Sequence, residues 1–212
     1  MAGCDRRMRQ RLERAALVIA AVNLMCSQSR ACEMSLTGRI LSITGEIFKG
    51  DEFKFRDFLD SVRAKAATVR LNSPGGNISA SGEIGRQIRE AGLTTLVDAR
   101  RDICASACTV LFASGKQRVY LNARGPEGVM GHEGFRGLGF HQGSIPDQPQ
   151  ASRYSGDGTA AMIGYFYEFG VPAAAGLVDK APPERIYAVS GASALSLGIA
   201  TRITGAHLAS AN

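Results

Sequence analysis

The chain has 212 residues, of which 45% are hydrophobic and 21% are charged, a balance typical of a globular protein with one sizeable core. The formal net charge is +6, but six arginines within residues 1–31 outweigh Asp5 and Glu13 there and supply +4 of it. The rest of the chain carries only +2 and no basic cluster with interleaved aromatics, which argues against a nucleic-acid partner.

The N-terminal segment is typical of a secretory leader. Arginines are followed by an apolar run from Ala15 to Cys26 and then by small and polar residues. We therefore expect a signal peptide at 1–31 and a single periplasmic or secreted domain at 32–212. The run is short for a membrane span, which needs about 20 apolar residues. The alternatives are an uncleaved anchor in the inner membrane and a cytoplasmic protein with an amphipathic N-terminal helix.

Short β-rich runs alternate with helical runs between residues 38 and 122, which is the rhythm of a parallel α/β sheet. The patterns predict strands at 38–47, 67–73, 93–99 and 118–122, and helices at 52–66, 78–92 and 106–115. Residues 124–158 are rich in glycine and predict a long irregular segment, apart from the short apolar run GLGFH. Helical patterns resume at 158–170 and 171–181, and residues 190–203 predict a short helix that leads into a final strand.

Two turns rich in small residues follow predicted strands and precede predicted helices. The first is SPGG, which contains Gly75 and Gly76, and the second is CASAC, which is centred on Ser106. The start of a helix exposes free backbone N–H groups, which stabilise a developing oxyanion. Alone, PGG is a common turn and serine a common N-cap. Together, on adjacent parallel strands, the two turns would place two N–H donors beside one serine.

In combination these turns resemble the Clp-protease/crotonase superfamily. The stretch VRLNSPGGNISASGEIGRQIR, with the later LTTLVDARRDICASACTVLFASGKQRVYL, is similar to the secreted, predicted periplasmic ClpP-like proteins of bacteria. The likeness runs from about Leu36 to Ile203. It implies an α/β fold, a spiral of β-β-α units with a parallel sheet and flanking helices. It also implies a serine peptidase that uses no cofactor, acts on a peptide or protein substrate and forms a homo-oligomer.

The resemblance assigns Ser106 as the nucleophile and the backbone N–H groups of Gly76 and Ala107 as the oxyanion hole. A serine at the start of a helix is activated only if a base reaches its hydroxyl. We prefer His141 because it ends the apolar run LGFH, and the end of a strand would hold a base rigidly. His132 fits the spacing usual in the family and is the alternative. His207 lies in a small-residue tail, where a surface residue is expected.

The acid that would orient the histidine has a weaker signal. The resembling peptidases carry it shortly before the last helix, where Glu184 lies, with Asp179 as the alternative and Asp157 as a candidate from the irregular segment. A surface charge is the ordinary explanation for each of these residues. Lys116 and Lys180 follow Ser106 but do not lie in apolar helices, which argues against a serine–lysine dyad.

The cysteines that flank Ser106 have three explanations. Zinc needs about four ligands, and no second Cys/His pair lies at ligand spacing, so we predict no metal site. A disulfide, between Cys104 and Cys108 or from one of them to Cys32, suits an oxidising compartment, and buried small side chains are the simpler alternative.

Two further functions stay open at this point. One is a non-catalytic binding protein that retains the fold. The other is an acyl-CoA enzyme of the crotonase type, which a periplasmic location disfavours because acyl-CoA is not expected there.

Overall fold

A computed structural model describes residues 32–148 and 151–204, so the predicted leader and His207 lie outside the described residues. Twelve strands and six helices follow one another along this part of the chain. In order they are β1 (Glu33–Thr37), β2 (Ile40–Thr44), α1 (Asp51–Val62), β3 (Thr68–Asn72), α2 (Ile78–Glu90), β4 (Thr94–Asp98), β5 (Ile103–Ala105), α3 (Ala107–Ser114), β6 (Arg118–Leu121), β7 (Gly128–Met130), β8 (Gly137–Phe140), β9 (Ser144–Gln148), β10 (Ala151–Tyr154), α4 (Gly156–Glu168), α5 (Pro172–Val178), β11 (Ile186–Ala188), α6 (Gly191–Ser196) and β12 (Arg202–Thr204).

The larger sheet has six strands in the order β1-β2-β3-β4-β6-β12. Its strands run parallel except β1, which pairs antiparallel with β2 at one edge. Strand residues that are buried alternate with more exposed ones, as in Leu41 and Ile43 of β2. The predicted parallel α/β architecture is confirmed. Helices α1, α2 and α3 agree with the predicted helices to within about one turn.

The prediction of an irregular segment at 124–158 is wrong outside the run GLGFH, where β8 lies. It holds four strands, β7 to β10, of which β9 and β10 form an antiparallel hairpin. A second sheet has the order β5-β8-β11-β7. Its strands have only three or four residues and pair with partners far along the chain, such as Tyr187 with Phe140. Local patterns miss them because strand formation here depends on tertiary pairing.

One hydrophobic core joins the two sheets. It contains Val69 of the larger sheet, Leu138 and Phe140 of the second sheet, and Phe112 of α3. All eight residues of α3 are buried, so this helix has no polar face and packs on all sides. Within the described ranges, no helix has both the length and the apolar character needed to cross a bilayer.

A partly buried ion pair also connects the sheets. Asp102, just before β5, is fully buried and accepts hydrogen bonds from the Arg70 guanidinium of β3, with Nε to Oδ2 at 2.9 Å. The backbone N–H of Asp98 donates to the same carboxylate at 2.9 Å. These contacts tie the middle of β3 and the end of β4 to the start of β5.

Candidate active site

Ser106 occupies the turn between β5 and α3. Its backbone has φ 54 and ψ −130, which is unfavourable for a residue with a side chain. The turn is held on both sides: the Ser106 N–H donates to Gly139 O at 3.0 Å, and Thr109 donates to Ser106 O through its N–H at 2.9 Å and its hydroxyl at 2.6 Å. The Ser106 hydroxyl lines a cleft and has no hydrogen-bond partner among the described residues.

The cysteines beside Ser106 form a disulfide. Cys104 ends up in β5 and Cys108 in the first turn of α3, with their Cα atoms 5.1 Å apart and both side chains fully buried. Cys32 is a free, half-buried thiol, so the alternative pairing with Cys32 is not formed. In the part of the chain that is described, no three His, Cys, Asp or Glu side chains converge as a metal site would require.

The SPGG turn packs directly against the Ser106 turn. Gly75 and Gly76 have φ values of 105 and 129, which favour glycine. A Cβ on Gly75 would lie 2.7 Å from Ser106 Cβ and 3.0 Å from Ala107 N. The N–H groups of Gly76 and Ala107 have no acceptor within the described residues, and both residues line the cleft that holds Ser106. This arrangement leaves two backbone donors available to an oxyanion.

His141 directly follows β8 and is only 5% exposed. Ala105 pairs with Gly139 in the parallel β5–β8 ladder, so the end of β8 lies beside the Ser106 turn. The Nδ1 atom of His141 lies 2.7 Å from Gln142 O. Since a carbonyl only accepts, Nδ1 carries the proton and Nε2 of the neutral ring has the free lone pair.

Burial is the main cause that lowers the pKa of His141, and the nearby His132 lowers it further. The Gln142 carbonyl and the charge of Glu184 act in the opposite direction. The net effect keeps the imidazole neutral, and thus able to accept a proton, at lower pH than an ordinary histidine.

His132 lies in the same cleft but in a different setting. It is exposed, in the loop between β7 and β8, with its ring centroid 5.6 Å from that of His141 and its Nε2 3.2 Å from Pro183 O. The structure thus brings both candidate bases to one place. The buried one sits at a strand end, and the exposed one covers it from a loop.

The candidate acids are less closely placed. Glu184, Asp179 and Asp157 are all exposed, and in the described ranges none of them bonds to His141. Asp179 accepts a hydrogen bond from the Gln142 side chain at 3.3 Å, and Asp157 lines the cleft. The group that holds His141 Nδ1 is a backbone carbonyl, which no residue type in the sequence could have indicated.

Lysines contribute little near Ser106. Lys116 and Lys180 are exposed and lie outside the cleft. Lys49, which sequence reasoning did not consider, lies at its rim.

The cleft around Ser106 has a volume of about 870 Å³. Apolar side chains from four parts of the chain line it: Phe48, Ile78, Ile145 and Met162. Sequence reasoning missed these as site residues, although Phe48 lies between the end of β2 and the start of α1, and Ile78 is the first residue of α2. Parallel sheets place their ligand sites at such strand-to-helix connections. The β9 residue Ile145 brings the β9–β10 hairpin to the rim of the cleft.

No protein-family model and no curated protein matches the sequence. Among solved structures, a serine-to-alanine variant of the 1510-N membrane-bound stomatin-specific protease is 14% identical, with a TM-score of 0.54, and covers 78% of each chain. A lysine-to-alanine variant of that protease in complex with a substrate peptide has the same identity and TM-score and covers 78% of this chain and 74% of its own. The ClpP protease catalytic domain from Plasmodium falciparum is 17% identical, with a TM-score of 0.50, over 80% of this chain and 87% of its own. The chain therefore has the α/β fold of ClpP-like serine proteases.

Proposed function

We propose that this protein is a secreted serine peptidase in which Ser106 attacks the substrate carbonyl and His141 moves its proton. The observation that carries the proposal is the convergence, in one cleft, of a free serine hydroxyl, two unpaired N–H donors and a buried histidine with a fixed tautomer. Each group is ordinary alone, and their combination is what acyl transfer requires.

The chemistry follows from these positions. Ser106 Oγ bonds to the carbonyl carbon while its proton passes to Nε2 of His141, because Nδ1 already carries a proton held by Gln142 O. The carbonyl oxygen becomes negative and accepts hydrogen bonds from the N–H groups of Gly76 and Ala107. His141 then gives the proton to the leaving amine, and water repeats the sequence on the acyl-enzyme.

In this proposal a backbone carbonyl replaces the carboxylate that usually orients the histidine of a triad. The Gln142 carbonyl orients the imidazole, and Glu184 contributes a charge that favours the imidazolium through space. His132 stands as a neighbour that covers His141 and not as the base. A loop residue that is exposed and held only through Pro183 O is a less rigid base than a buried residue at a strand end.

The setting of the cleft suggests the substrate and the compartment. Apolar residues around Ser106 suit a peptide with apolar side chains, and one structural neighbour was solved with a substrate peptide. The Cys104–Cys108 disulfide suits the oxidising periplasm that the predicted leader implies. We extend the proposal to a homo-oligomer, and to membrane attachment if the leader is kept.

A second candidate is a non-catalytic binding protein. It is favoured by the absence, among the described residues, of a carboxylate on His141 and of a hydrogen bond between Ser106 and either histidine. Labelling with a fluorophosphonate probe separates the two functions. We expect wild-type protein to be labelled, Ser106→Ala and His141→Ala to lose the label, and Ser61→Ala, an exposed serine on α1, to keep it.

Three other outcomes of the labelling would each contradict part of this proposal. A folded wild-type protein that takes no label supports the binding protein. Loss of label in His132→Ala with label retained in His141→Ala would reassign the base. Turnover of acyl-CoA thioesters without labelling of Ser106 would indicate a crotonase-type enzyme.

A further inference from the structure

We propose that the Cys104–Cys108 disulfide is a positioning element for the nucleophile, so that Ser106 reaches full reactivity only when the disulfide is formed. This inference rests on the proposed function, because it assumes that Ser106 is the attacking group. It assigns Cys104 and Cys108 a role in the reaction without contact with the substrate.

The backbone of Ser106 needs an external constraint. A serine with φ 54 persists only where its surroundings leave it no alternative. The Ser106 N–H donates to the Gly139 carbonyl, and the Ser106 carbonyl accepts from Thr109. Gly75 packs against the Ser106 side chain. None of these contacts directly sets the distance between the strand that enters the turn and the helix that leaves it.

The disulfide sets that distance. One sulfur belongs to Cys104 in β5, whose backbone pairs with Leu138 on one side and with Ser73 on the other. The other sulfur belongs to Cys108 in α3. Only Ala105, Ser106 and Ala107 lie between the two cysteines. A shift of α3 relative to β5 would therefore move the Ser106 hydroxyl and the Ala107 N–H together, which are the nucleophile and one oxyanion donor of the proposed site.

The short span of the disulfide favours a local role over a global one. A disulfide stabilises a fold mainly by restricting the unfolded chain, and this effect grows with the length of the loop that it closes. Here the two cysteines are separated by 4 positions, so the closed loop is very short and its effect on the unfolded chain is small. Its buried position under the turn also keeps the pair away from the cleft, where a thiol could act as a competing nucleophile.

The test measures the labelling of Ser106 by a fluorophosphonate, separated into the maximal rate constant and the half-saturating probe concentration. In Cys104→Ala/Cys108→Ala we expect the rate constant to fall about 10²-fold, the loss typical of an ångström-scale misplacement, with half-saturation and the pH midpoint unchanged. Cys32→Ala removes the free thiol and should label like wild type. Val110→Ala, buried in the same helix, should lower the melting temperature without lowering the rate constant.

Rescue provides a second measurement that does not depend on how well the variant folds. In wild-type protein refolded in a phosphine, Cys104 and Cys108 are thiols like Cys32, and an azo oxidant then accepts two electrons and two protons from Cys104 and Cys108 as their disulfide forms. We expect the labelling rate to recover on that oxidation. Equal labelling with and without the disulfide would overturn this inference alone. A disulfide-bonded wild-type protein that takes no label would overturn the proposed function and this inference with it.

Discussion

In the proposed mechanism, the reactivity of Ser106 depends on a single proton on His141. Burial disfavours the imidazolium and lowers the pKa of His141, and Nδ1 is held by the Gln142 carbonyl. A carbonyl fixes the tautomer as a carboxylate would, but it carries no full charge to stabilise the imidazolium. The proposed site therefore exchanges some stabilisation of the charged intermediate for a base that is available at lower pH.

The pH profile of labelling should show this exchange. A histidine acts as a base only when neutral, so a lowered pKa keeps His141 active as the pH falls. We expect the labelling rate to rise with a midpoint below the ordinary histidine value of about 6.5. In His132→Phe the ring is kept and a like charge is lost, so the midpoint should move upward. A wild-type midpoint at or above about 6.5 would contradict the assignment of His141 as a buried base.

At the scale of elements, the site is the junction of two turns that touch. The SPGG turn follows β3 and the Ser106 turn follows β5, and the two are tied by backbone bonds from Ser73 N to Ile103 O and from Ala105 N to Ser73 O. At Gly75 the two turns are too close for an added Cβ to fit. Its lack of a side chain is thus a requirement of the junction, in addition to the turn conformation that its φ of 105 imposes.

Gly75→Ala should separate the two turns. Its Cβ would lie 2.7 Å from both Ala105 O and Ser106 Cβ, and neither atom belongs to a flexible side chain. We expect a loss of about 2 to 4 kcal/mol in the free energy of unfolding and of about 10²-fold in the labelling rate. Gly50→Ala is the matched control, because φ there is 100 but nothing lies within 4 Å of its Cβ. It should cost only about 1 to 2 kcal/mol and leave labelling unchanged. Urea unfolding and labelling kinetics measure both, and equal losses of labelling in the two variants would contradict the argument.

At the scale of the whole molecule, the elements that can be predicted from the sequence are those with a local hydrophobic pattern. Helices α1 to α3 and strands β3, β4 and β6 carry their own periodicity, and the two turns stand out because small residues follow strands. Of the second sheet, only β8 has a signal in the sequence, the apolar run that ends at His141. The other strands, such as β5 and β11, have three residues each and exist only through their partners. The contact between Gln142 O and His141 could not be predicted either. Every residue has a carbonyl, and only the fold decides which carbonyl lies beside Nδ1.

Because the short strands of the second sheet exist only through their partners, we predict that the two sheets unfold together. Asp102 is fully buried and its partner Arg70 is only partly exposed, so Asp102→Asn leaves a guanidinium without its counter-charge at the link between β3 and β5. We expect a cost of about 1 to 3 kcal/mol, less than for a wholly buried pair because solvent reaches Arg70.

If the shared core makes the molecule one cooperative unit, this loss should accelerate amide exchange in β3 and in β8 by the same factor, about 5- to 160-fold for about 1 to 3 kcal/mol. Hydrogen exchange read by mass spectrometry on peptides covering the two strands measures it. Arg101→Ala removes an exposed partner of the buried Asp98, whose carboxylate keeps its hydrogen bonds from Asn122 and the Arg100 N–H, and should change both rates little. Faster exchange in β8 alone would mean that the second sheet opens independently, and with it the strand that delivers His141 to Ser106.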